Sequence, residues 1–177
     1  MEFKTLVSER MSIRHFLPNR EIEPSVIRNI IQTAQKAPSW KNSQTGRYYI
    51  ASSPEALKKV KALLPAFNQK SCENAPVLVV TTYVCGISGF SDGEPTNELG
   101  DAWGMYDLGL QNAYLLLAAR EEGIDSLVMG IRDADGLREL LDIPDDEEVA
   151  AVIALGYRES TPNPRPRLDT DEIMHLF

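Results

Sequence analysis

The chain has 177 residues, 43% apolar and 25% charged, which predicts one globular domain spanning 1–177 and excludes wholesale disorder. Its 18 basic and 26 acidic side chains give a net charge of −8. That excludes a protein whose main task is sequence-independent nucleic-acid binding and gives no support to an electrostatic membrane anchor.

Residues 2–11 carry Phe3, Leu6, Val7 and Met11 at helical spacing, and predict an amphipathic first helix. Pro24 opens a second, with Val26, Ile27, Ile30, Ile31 and Ala34 on one face, and Ala37-Pro38 ends it. Residues 47–51 read as a short strand. Ser53-Pro54-Glu55 is a helix start: a capping hydroxyl, a proline in the first turn and an acid near the positive end of the dipole. Residues 76–82 (PVLVVTT) form a continuous branched run, the mark of a strand buried on both faces. Glycines at 86, 89, 93 and 100 make 84–100 a loop, of a length that usually serves as a lid or binding loop. Residues 101–122 predict the longest helix, buried on most sides, with Gly123 as its C-cap. Residues 126–131 predict a strand, 134–142 a helix, and 149–155 the last core strand. The acidic run 133–148 reads as a solvated face. Three prolines keep 159–167 extended, and 169–177 can form a terminal helix. Helices flanking a few short strands indicate an α+β class.

No apolar run reaches the roughly 18 residues of a membrane helix, and the first residues do not resemble a signal peptide. Cys72 and Cys85 form no CxxC, so free thiols in a cytoplasmic setting are expected. Two distant histidines, His15 and His175, exclude a multi-histidine metal site.

Against the acidic background, arginines cluster at both ends: Arg10, Arg14 and Arg20, then Arg158, Arg165 and Arg167. If the ends meet, their planar forks suit a phosphate. The competing reading is that they pair with surface acids. The segment Ala37-Pro38-Ser39-Trp40-Lys41-Asn42-Ser43-Gln44 is rich in hydrogen-bonding side chains. It can read a planar heterocycle or simply form a turn. GxSxG, HExxH and phosphate-loop motifs are absent, which points toward reactivity borrowed from an organic cofactor.

Taken in order, these pieces resemble the FMN-dependent nitroreductase family. Arg10-Met11-Ser12-Ile13-Arg14-His15-Phe16 is similar to the family's R-x-S-[IV]-R-x-F opening. Residues 37–44 are similar to its A-P-S-x-x-N-x-Q motif. Asn68-Gln69, Ala75-Pro76, Asp107-Leu108-Gly109, residues 123–126, Met129-Gly130, residues 152–157 and Arg165-Pro166-Arg167 extend the likeness over nearly the whole chain.

The resemblance implies a central, mostly antiparallel sheet of four to five strands flanked by helices, in an intertwined homodimer with FMN at the interface. It implies that Arg10, Met11, Ser12 and Arg165 or Arg167 hold the phosphate and ribityl chain. Arg14 would lie near the pyrimidine end and tune the flavin, and Asn68 would bond the pyrimidine edge. Backbone N–H groups of Met129 and Gly130 would approach N5 and O4. Pro38, Ser39, Trp40 and Asn42 would reach the flavin of the other subunit. The implied chemistry is ping-pong hydride transfer from NADH or NADPH to a small electron-poor acceptor such as a nitroaromatic or quinone. The alternatives are a flavin-binding protein without NAD(P)H turnover, another reaction such as reductive dehalogenation, or a non-flavin anion-binding domain.

Overall fold

The computed structural model describes all 177 residues. Its centre is a four-stranded sheet, β1 (Gly46–Ala51), β2 (Val77–Val84), β5 (Asp125–Met129) and β6 (Glu147–Gly156), in the order β1-β2-β6-β5. Every neighbouring pair is antiparallel. Period-two alternation explains the continuous apolar run of β2. Leu78 and Val80 face one core with Val152 and Ala154, whereas Val77 and Val79 face the other with Ile153 and Leu155.

The first core is closed by α3 (Pro54–Ala62), α4 (Ala66–Ser71) and α6 (Ala134–Leu140), through Val60, Cys72 at the end of α4, and Leu137. The second is closed by α2 (Pro24–Ala34) and α5 (Ala102–Glu121), through Ile30, Leu115 and Ala119. The capping predicted for α3 is present, with the Ser53 hydroxyl accepting the Ala56 N–H at 3.2 Å.

Five sequence expectations need correction. Helix α1 (Phe3–Glu9) ends two residues early, because Arg10 turns into extended backbone. The released segment runs beside β5 instead, with a parallel bridge Ser12↔Ser126 and the Ile13 N–H donating to Ser126 O at 2.9 Å. The loop 84–100 holds a small hairpin, β3 (Phe90–Ser91) and β4 (Glu94–Pro95). Its two-residue turn is Asp92-Gly93, both at positive φ, as a twist-matched hairpin turn requires.

Helix α5 is covered by the sheet, by α2 and in part by α1, but not on its remaining side. Met105, Tyr106 and Tyr114 are exposed on its other side. The acidic run is not wholly solvated, because Glu147 starts β6 with its side chain inward. There it accepts hydrogen bonds from the Tyr49 hydroxyl at 3.0 Å and from Thr82. Burial and this carboxylate push the Tyr49 phenol up to about 12. The terminal helix α7 is a single turn, Thr170–Ile173, closed by an Asp169/Glu172 capping box.

Candidate functional site

The two ends of the chain meet. A groove of about 530 Å3 is lined by Arg10, Met11, Ser12, Arg14, Arg165 and Arg167, with Pro162–Pro166 forming the opposite wall. None of these four arginines makes an ion pair with a carboxylate, although the chain carries 26 acids. Four unpaired guanidinia and a hydroxyl on extended backbone form a donor set for an anion. Arg20 and Arg158 are sorted elsewhere. Arg20 lies over the Tyr157 ring, 4.4 Å from its centroid.

Arg158 joins a buried ion network. The Asp125 carboxylate accepts from Arg158 Nε at 2.8 Å, from the Arg158 backbone N–H at 3.1 Å and from Arg120 Nη1 at 3.1 Å, with a further contact from Arg158 Nη2. Arg120 also pairs with Glu9 at 3.3 Å, and Arg158 Nη2 donates to the Glu9 carbonyl at 3.1 Å. The hydrogen bond to Asp125 holds the Arg158 guanidinium above its ordinary value. Glu9 precedes Arg10, and Arg158 precedes the proline-rich tail. The network therefore ties together the two backbones that carry the groove.

The register orders the groove. Because Ser12 pairs in parallel with Ser126, Arg14 lies past Ser12 in the direction β5 takes toward Met129, and Arg10 lies on the other side. Ser126 to Met129 spans about 10 Å at ~3.3 Å per residue. Met129 is buried, whereas Gly130 is exposed with open space where a Cβ would stand. Asn68 is buried on α4, and its Nδ2 donates to Ile131 O at 3.1 Å. The sequence reading aimed Asn68 at a flavin edge. The structure gives one of its amide protons to the backbone beside Gly130 and leaves the rest of the amide over.

Pro38, Ser39, Trp40 and Asn42 do not join the arginine groove within one chain. Pro38 and Ser39 line a separate cavity of about 390 Å3 with Tyr48, Asp107 and Gln111. Lys41, Asn42 and Gln44 adopt positive φ, an uncommon conformation that surrounding bonds must hold. Buried Asp107 is the anchor, accepting the Trp40 N–H at 2.9 Å and the Ser88 hydroxyl at 2.8 Å, while Ser88 bonds Ser43 at 2.7 Å. Trp40 packs on Trp103 at 4.8 Å between centroids, and Trp103 meets Tyr106 edge-on at 5.5 Å. Loops 38–44 and 84–100 thus share one anchor on α5. Asp107 and Asp125 stand in the family-like motifs of the sequence without an assigned role, and Arg132 stands in none. Their partners lie up to 67 positions away, and no local spacing marks them.

The profile of the family described as "Nitroreductase family" matches residues 7–157. A protein of Archaeoglobus fulgidus with the provisional name NADH dehydrogenase/NAD(P)H nitroreductase is 32% identical over 156 residues, covering 86% of this chain and 83% of its own. The NADH dehydrogenase of Thermus thermophilus is 24% identical, covering 98% and 95%. Among solved structures, an FMN complex of a provisionally named nitroreductase from Exiguobacterium sibiricum superposes with a TM-score of 0.88 at 20% identity, covering 100% of this chain and 98% of that one. The enone reductase CLA-ER, of gut-bacterial fatty acid saturation, also gives 0.88 at 20% identity, covering 99% and 97%. With the antiparallel sheet, the arginine groove and a profile match over most of its length, this chain belongs to the nitroreductase family of oxidoreductases.

Proposed function

We propose that residues 1–177 form one FMN-binding domain of an oxidoreductase that passes reducing equivalents from NADH or NADPH to a small electron-poor acceptor. The observation that carries this reading is the carboxylate-free arginine groove laid out along β5. Its donor set fits a phosphomonoester with a polyol chain. In this reading Arg10, Arg165 and Arg167 meet the phosphate, and Met11 and Ser12 flank the chain. The register then carries a ring system past Arg14 toward the open space at Gly130. Arg14 stabilises negative charge at the pyrimidine end and is the residue that tunes the flavin. Asn68, Met129 and Gly130 present donors to the ring edge.

When bound, FMN would supply hydride-transfer chemistry between the nicotinamide and the acceptor. The A. fulgidus and T. thermophilus names support NAD(P)H as reductant, and the E. sibiricum complex supports FMN. A nitroaromatic or quinone is the acceptor class we favour. An enone is a further candidate on this fold.

A homodimer completes the site in this reading. Pro38, Ser39, Trp40 and Asn42 lie outside the lining of their own groove and in this reading serve the second copy's flavin. Exposed Phe3, Val7, Tyr106 and Tyr114, and the bare apolar tail residues Leu168, Ile173, Leu176 and Phe177, support a partner surface. No helix is long and apolar enough to cross a membrane. The two free cysteines support a reducing, cytoplasmic setting.

The test is anaerobic mixing of the FMN-loaded protein with NADH and with NADPH, followed by a panel of nitroaromatic, quinone and enone acceptors. Rapid bleaching of the yellow colour and its return on adding acceptor are expected. Persistent yellow would favour a flavin carrier without turnover. A protein that does not bind added FMN would refute the reading altogether.

A further inference from the structure

We infer that Arg132 is a positioning residue that, together with Asn68, orients two backbone donors, the N–H groups of Ile131 and Arg132, at the ring end of the flavin site. The inference rests on the FMN reading above. The ladder between β5 and β6 ends at Met129↔Val152, and the Asp133 N–H is used again, on Leu63 O at 2.8 Å. Between them the N–H groups of Gly130, Ile131 and Arg132 find no acceptor in the chain. Three consecutive free N–H groups on an irregular segment would ordinarily point in no fixed direction.

Here the carbonyls of two of these three peptides are held, Gly130 O and Ile131 O. Arg132 Nη1 donates to Gly130 O at 3.3 Å, and Arg132 Nη2 donates to Val149 O on β6, so the guanidinium fork ties the segment to the sheet. Asn68 Nδ2 donates to Ile131 O at 3.1 Å from α4. In a trans peptide the C=O and N–H point in opposite directions. Holding Gly130 O on the guanidinium therefore turns the Ile131 N–H away from it. Holding Ile131 O on Asn68 does the same for the Arg132 N–H.

Arg132 makes no ion pair, and its Nε is buried without a partner. A half-buried guanidinium with no carboxylate is a costly arrangement for a side chain that only fills space. Its two bonds go to main-chain carbonyls, one of which belongs to the donor segment. The open space at Gly130 lets a planar carbonyl edge come close to these donors.

The test follows the amide protons of residues 130–132 by hydrogen exchange read by NMR, with and without FMN, in the wild type and in Arg132→Met, Arg132→Lys and Asn68→Leu. In the wild type, FMN should protect these amides. Arg132→Met should abolish protection at Ile131 while core β6 amides stay protected, and FMN should bind about three- to tenfold more weakly, the range for one net hydrogen bond. Lys keeps the charge but lacks the rigid fork whose two nitrogens hold the two carbonyls, so Arg132→Lys should behave as Arg132→Met does. Asn68→Leu should release Arg132 N–H and leave Ile131 protected, which tests the arrangement independently should the Arg132 variants fail to fold.

Wild-type protection at 130–132 that survives in all three variants overturns the inference, as does full recovery in Arg132→Lys. So does an FMN complex in which these amides stay unprotected. In each of those cases the FMN reading stands. A wild type that does not bind FMN overturns both.

Discussion

Replacing Asp125 with asparagine should be among the most damaging conservative changes in this chain. The carboxylate is 2% exposed and gathers four donors from two arginines whose side chains are only 17% and 18% exposed. An asparagine would keep the shape, but its amide group would turn N–H protons toward guanidinium N–H protons. Breaking a buried pair from one side costs about 3–5 kcal/mol, because the remaining charges stay buried without compensation. Both arginines keep a contact to Glu9, so the lower end applies, about 3 kcal/mol. For a chain of this size that corresponds to a fall in Tm of roughly 6–12 °C. Urea denaturation of Asp125→Asn, Arg158→Met and the double variant measures the coupling. The network also positions the groove, so the single variants should lose more affinity for FMN than for riboflavin, which lacks the phosphate. A stability loss below about 1 kcal/mol for Asp125→Asn would refute the reasoning, because that is the range of an exposed pair. An equal loss for FMN and riboflavin would separate the network from the phosphate.

Gly104→Ala should destabilise by about 1–3 kcal/mol, since the added Cβ would stand 2.3 Å from a carbon of the Tyr83 ring, which is itself buried; a thermal melt matching the wild type would contradict that packing. Gly130→Ala should change stability by less than about 0.5 kcal/mol, because its Cβ meets nothing within 4 Å, yet weaken FMN binding about tenfold in a fluorescence titration if the ring approaches there. Ultraviolet titration should find Tyr48, Tyr49 and Tyr83, half of the six tyrosines, un-ionised at pH 11, since burial pushes Tyr49 and Tyr83 up to about 12 and Tyr48 beyond them. Their folded values lie above the unfolded value near 10, so the stability they contribute is complete below pH 10 and is lost as pH rises through 12. Denaturant midpoints of wild type and Tyr49→Phe should therefore diverge only above about pH 10, and parallel curves through pH 12 would refute the assignment.

The parts legible in the sequence are those whose causes are local. Pro24, the period of Val26–Ala34 and the Ser53-Pro54-Glu55 cap specify their helices through neighbours within one turn. The β2 run announces itself because both faces are covered. The Asp92-Gly93 hairpin had a local signal too, but the surrounding glycines hid it. Other features depend on distant partners. Helix α1 stops early because residues 12–13 find a better hydrogen-bonding partner in Ser126, more than 100 positions away. Glu147 looks solvated within its acidic run and is buried only because Tyr49 and Thr82 supply hydroxyls. The arginines of the groove are visible as clusters, but that Arg158 leaves for the network around Asp125 and Arg20 for the Tyr157 ring is not written in their spacing.

That sorting explains how an acidic chain can hold an anion. At net charge −8 a guanidinium near any carboxylate would be neutralised, and a general excess of positive charge is not available. The chain uses its buried acids where they organise structure: Asp125 takes Arg158 and Arg120, and Asp107 takes backbone and hydroxyl donors. Arg10 and Arg14 flank the Ser12 bridge and Arg165 and Arg167 lie on the proline-rich tail, and none of the four has a carboxylate within ion-pair distance. At physiological salt the repulsion from the remaining acids is screened beyond about 8 Å, so a ligand in the groove feels mainly the four guanidinia. Selectivity for a phosphate then arises from the absence of local competitors, and the same structural carboxylate that removes Arg158 from the groove holds the groove's two walls together.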